Sequence, residues 1–75
     1  MKKSEQKIIT AMEATEKFIR EAEAKGAKET FEMGNDIGFT PLWCEKQNLI
    51  KYREMLEYKD KRTLPAYLKE LYQAI

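Results

Sequence analysis

Residues 40–58, TPLWCEKQNLIKYREMLEY, decide how the chain folds. Thr40 followed by Pro41 is a helix-start signal. The threonine oxygen can accept from a free backbone N–H, and proline at the first helical position forfeits no intrahelical hydrogen bond. At about 100° per residue, Leu42, Leu49, Tyr52 and Leu56 fall on one stripe, the face expected to meet the core. Trp43 and Ile50 lie roughly 80° to 100° round from Leu42 on the other side and make a second, smaller apolar patch. A helix with two apolar faces belongs at the centre of the fold. The second face is either covered by the segment before Thr40 or meets another protein, and Trp is among the residue types most enriched at binding hot spots.

Upstream, Ile8, Ala11, Met12, Thr15, Phe18, Ile19 and Ala22 recur at helical period. They predict an amphipathic helix capped by Ser4 and stopped by Gly26. Its other face carries Glu13 with Lys17, Glu16 with Arg20 and Glu21 with Lys25, all at the i to i+4 spacing that suits a solvated helix surface. Between Lys28 and Phe39 the period changes, and Phe31, Met33, Ile37 and Phe39 flank the turn-prone Gly34, Asn35 and Asp36. Two outcomes stay open. One is a hairpin with a three-residue loop, setting Met33 opposite Ile37 and Phe31 opposite Phe39 and packing on the Trp43 and Ile50 face; the other is an ordered loop that buries the same four residues.

Downstream, Thr63 and Pro65 signal a last helix whose apolar set is Leu64, Tyr67, Leu68, Leu71, Tyr72 and Ile75. The short linker Lys59 to Arg62 obliges it to fold back near the central helix. The expected architecture is a mainly α, three-helix domain (about 4–25, 41–58 and 63–75), with 28–39 as an ordered loop or short β-hairpin. It occupies residues 1–75 as a single small helical domain.

Seventy-five residues allow one core. Charged residues make up 36% of the chain, yet 14 Lys and Arg against 13 Asp and Glu leave a net charge of +1, so the chain is no basic nucleic-acid tail. The charge is uneven. Residues 28–45 carry Lys28 against Glu29, Glu32, Asp36 and Glu45, whereas residues 46–62 carry six basic groups against three acidic ones, an asymmetry that suits self-association or a charged partner. A single cysteine, Cys44, excludes an internal disulfide and points to the cytoplasm. No apolar run follows Lys2 and Lys3, and no stretch reaches the roughly 18 to 20 apolar residues of a membrane span.

The chain has no histidine, which removes the commonest general base and the commonest metal ligand. Glu32 with Asp36, and Glu54 with Glu57, are the carboxylate pairs worth weighing for hydrolysis. A chain this short offers little room for the cleft such chemistry needs, and surface solvation accounts for them. Gly34 and Gly38 in GNDIG lack the remaining features of a phosphate loop. No enzyme, metal, cofactor or small-molecule substrate is therefore expected.

The leading expectation is a small, non-enzymatic interaction or regulatory module, self-associating or bound to a protein partner through Trp43, Gln47, Ile50 and Glu54. The alternative is weak nucleic-acid binding by Lys46, Lys51, Arg53, Lys59, Lys61 and Arg62. In its brevity, charge-rich helices and lack of catalytic residues the chain resembles the small accessory proteins of bacteriophages and mobile elements, a likeness of style that no single motif carries.

Overall fold

A computed structural model describes residues 3–75; Lys2, named above with Lys3 as preceding no apolar run, lies outside them. Three helices and one antiparallel hairpin follow in the order α1 (Lys3–Ala24), β1 (Thr30–Met33), β2 (Asp36–Phe39), α2 (Pro41–Met55) and α3 (Ala66–Ala74), with a 3-10 turn at Lys61–Thr63. The mainly α reading holds, and of the two outcomes for 28–39 the hairpin is the one formed.

Helix α1 is already formed at Lys3, so Ser4 lies inside it and is not its cap. Its end follows the glycine rule. Gly26 takes φ +79, the Ala27 N–H bonds the Ala22 carbonyl at 3.0 Å, and the Gly26 N–H bonds the Glu23 carbonyl at 3.0 Å, which is a Schellman stop. Thr40 caps α2 as expected, with its side chain accepting from the Trp43 N–H and Pro41 opening the helix. The same hydroxyl lies 2.6 Å from the Lys28 carbonyl and 3.1 Å from that of Glu29, so one side chain ties the base of the hairpin to the start of α2.

Helix α2 stops at Met55, short of the expected Tyr58. The next bonds tighten to i to i+3, from Glu57 N to Glu54 O and from Tyr58 N to Met55 O, and the Lys61 ammonium donates to the Met55 and Tyr58 carbonyls. A cation on the last carbonyls satisfies groups a helix end leaves open and opposes its partial negative charge. Thr63 does not start α3. Its hydroxyl and N–H both bond the Asp60 carbonyl, closing the 3-10 turn, while Leu64 is held extended at ψ 138. Pro65 disfavours helical geometry in the residue before it, so α3 waits until Ala66.

The core gathers Ile8 from α1, Tyr52 and Met55 from α2, and Leu64 and Leu68 around α3, with Met12, Tyr58, Leu71 and Tyr72 packed at its edge. Ile8, Met55 and Leu68 have no exposed area. The stripe predicted for α2 is corrected at one position: Leu56 is exposed and Met55 takes its place inside, because the helix ends there and the chain turns away. Phe18 and Tyr67, also expected in the core, are exposed. Among the described residues, the ion pairs within 4.0 Å do not include the three i to i+4 pairs of α1. Lys46 instead bridges Glu23 and Glu29, each at 3.3 Å, and Arg62 meets Asp60 at 2.9 Å. On the far side of the core, the Lys7 ammonium sits 4.2 Å over the Tyr72 ring and links α1 to α3.

Candidate functional site: the hairpin and the flank of α2

The hairpin register differs from the one expected. Thr30 pairs with Phe39, Phe31 with Gly38, Glu32 with Ile37 and Met33 with Asp36, leaving a two-residue turn of Gly34 and Asn35. Gly34 has φ +61 and Asn35 does not share the positive sign, the combination of a type II′ turn, which asks for glycine first. Gly-Asn between apolar runs was the signal for this turn in the sequence.

One fewer residue in the loop changes which side chains share a face. Residues directly opposite lie on the same side, and successive residues alternate. Phe31 and Met33 therefore share one face with Asp36 and Gly38, while Ile37 and Phe39 share the other with Thr30 and Glu32. The apolar quartet is split, and one helix cannot cover both halves. The expected burial of all four is corrected accordingly: Phe31, Met33, Ile37 and Phe39 are 46%, 59%, 68% and 53% exposed.

Contact with α2 is confined to the base of the hairpin, where the Phe39 and Trp43 rings stack with centroids 4.1 Å apart and planes 28° from parallel. On the opposite face the Phe31 ring lies across Gly38, where a β-carbon would collide with it, so glycine there makes room for the ring. The rest of the hairpin projects from the helices. A radius of gyration of 14.4 Å exceeds the roughly 11 Å of a compact chain of this length, in keeping with the 22-residue α1 and an arm held only at its base.

Trp43, Gln47, Ile50 and Glu54, the predicted partner face, share one side of α2 at spacings of three and four residues. Trp43 is half-buried beneath Phe39, Gln47 is half-buried, and Ile50 is 48% exposed and uncovered by the hairpin. Glu54 accepts a 2.7 Å hydrogen bond from the Tyr67 hydroxyl, which raises the Tyr67 pKa above its ordinary value. The four are thus split between a covered aromatic, an exposed aliphatic and an engaged carboxylate. The larger apolar surface lies beside them, on the arm.

The basic residues are also divided. Lys59, Lys61 and Arg62 come together with Lys69 around an open cleft of about 770 Å³ between the 3-10 turn and α3. Lys46, Lys51 and Arg53 do not line it. Lys61 is committed to the end of α2, Arg62 to Asp60 and Lys46 to two glutamates. The hydrogen bond to Glu29 holds the Lys46 pKa above its usual value against desolvation, with a lesser contribution from the bond to Glu23.

Cys44 is exposed. Among the described residues no group of three or more His, Cys, Asp or Glu side chains could hold a metal ion, and no helix is long and apolar enough to cross a membrane. The chain matches no family model, no curated protein and no solved structure.

Proposed function

We propose that the chain is a small, non-enzymatic protein–protein interaction module, regulatory or accessory in character, that engages its partner with the hairpin arm and the neighbouring flank of α2. The observation carrying this reading is the arm itself: four large apolar side chains, each about half exposed or more, on a two-stranded unit that has little stability alone. From roughly 150 to 250 Å² per aromatic side chain, the arm exposes on the order of 400 Å² of apolar surface, the size of patch that in monomeric proteins is often functional. Ile50 extends this surface along α2. The exposed thiol of Cys44 suits a reducing compartment such as the cytoplasm.

The test is the size of the tagged chain in an extract of its source cell, compared with Met33→Ser/Ile37→Ser. Both side chains lie off the core, so the variant should fold. The native chain is expected to elute in a complex that the variant has lost; elution of both as free monomer overturns the reading.

Nucleic-acid binding stands second, favoured by the gathering of Lys59 and Lys69 beside Lys61 and Arg62 at the cleft. The internal commitments of Lys46, Lys61 and Arg62 weigh against it. Contacts to phosphate would lose affinity steeply between low and physiological salt, and binding that is absent or flat with salt removes this reading.

A further inference from the structure

The two long edges of the hairpin are unequal, and the difference identifies what pairs with it. The Thr40 N–H bonds the Glu29 carbonyl at 3.0 Å, so residues 29 and 40 form a hydrogen-bonded pair. Such pairs alternate along an antiparallel ladder, which makes Phe31 with Gly38 and Met33 with Asp36 the next two. The polar backbone groups of Thr30 and Glu32 then point outward from β1, and those of Ile37 and Phe39 outward from β2. Among the described residues, no hydrogen bond caps the outward groups of Ile37 and Phe39.

Open strand edges are usually guarded by charge. The β1 edge is guarded: Glu32 lies within it and Glu29 just before it, so pairing β1 with its own copy would bring four carboxylates to one short ladder. The β2 edge has no charge over Ile37, Gly38 and Phe39, and is self-complementary. Turned about a two-fold axis through Gly38, the outward groups of Ile37 meet those of Phe39 in the second copy, and Gly38 meets Gly38 at the close-approach position of the ladder. Asp36 then faces Thr40, with no like charges opposed.

The geometry points to a second copy of this chain as the occupant of the β2 edge, joined as a two-fold dimer through a four-stranded antiparallel sheet. This inference rests on the arm being the interaction surface. It gives the most exposed large apolar side chain among the described residues a seat, because Ile37 would lie directly opposite the other copy's Phe39, beside the aromatic stack on Trp43. The antiparallel pairing sets each helical body toward the tip of the other arm. The acidic β1 edges end the sheet on both sides, and assembly closes at two copies.

Sedimentation velocity over a wide concentration range, with amide exchange on the same purified chain, tests this. The expected result is a concentration-dependent doubling of the 8.9 kDa mass, with the amides of Ile37 and Phe39 gaining protection as the dimer forms and those of Thr30 and Glu32 staying fast. Ile37→Lys is expected to abolish the doubling while helical dichroism is kept. A purified chain that stays monomeric overturns the inference, and if the complex in cell extract still depends on Met33 and Ile37, the interaction reading survives with a different partner. A dimer with protection at Thr30 and Glu32 overturns the choice of edge alone. A dimer indifferent to Ile37→Lys, with fast hairpin amides, overturns both readings.

Discussion

The helical body and the hairpin arm bury their apolar residues to opposite extents, although both are rich in them. In the body, Ile8, Met55 and Leu68 are fully enclosed, and the side chains around them come from all three helices. In the arm, four apolar side chains of similar size remain about half exposed or more. The cause is period. A helix gathers its apolar positions onto one stripe, so one neighbour can cover them; a strand sends successive residues to opposite sides, and this register divides Phe31 and Met33 from Ile37 and Phe39. The body therefore encloses a core within one chain, whereas the arm leaves its apolar side chains exposed.

Deleting side chains in each region should widen this contrast first. Leu68→Ala removes a wholly enclosed side chain and is expected to cost about 2–5 kcal/mol, a large part of the roughly 4–11 kcal/mol available to a domain of this length. Urea unfolding followed by helical dichroism checks it, and a loss below 1 kcal/mol would mean that the body is not the source of stability. At the joint, Thr40→Ala removes the α2 cap and the tie to Lys28 and Glu29. About 1 kcal/mol is expected, with faster amide exchange in the hairpin than in α1.

Alkaline pH probes the body alone. Burial, and then the charge of Glu45, raise the Tyr52 pKa above 10.0, with a hydrogen bond from the Thr15 side chain opposing. The folded state thus keeps its proton where the unfolded chain has begun to lose it. Stability is present below pH 10.0 and is expected to fall as pH rises through the folded value. Tyr67, raised by its hydrogen bond to Glu54, acts in the same sense. Tyr52→Phe should flatten the decline, and an unchanged slope would show that Tyr52 does not carry it. The smallest effect belongs to the arm: Met33→Ser should move monomer stability by no more than about 0.5 kcal/mol in urea unfolding.

The sequence was most legible where one local signal had no competitor. Thr40 with Pro41 marked the start of α2, Gly26 marked the end of α1, and helical spacing found Ile8, Thr15, Ile19, Tyr52 and Leu68 on inward faces. It was least legible where elements end or turn through side-chain bonds to the backbone that no residue pattern announces. That α2 stops at Met55 depends on Lys61 reaching back to its carbonyls, and α3 starts late because Thr63 bonds Asp60. The candidate site turned on a single residue of loop length. Three loop residues would have put all four apolar side chains on one coverable face, whereas the two-residue Gly34-Asn35 turn puts two on each, so an expected cover became an exposed arm.

Trp43 is the chain's single tryptophan, and it stacks on Phe39 at the foot of the arm, outside the cluster of Ile8, Met55 and Leu68. Its indole emission is therefore an indicator built into the joint between arm and body. In a melting experiment that signal follows the release of Phe39, while the backbone signal follows the helices. Two midpoints that separate would show the arm detaching before the body melts, and two that coincide would show the joint and the core giving way as one cooperative unit.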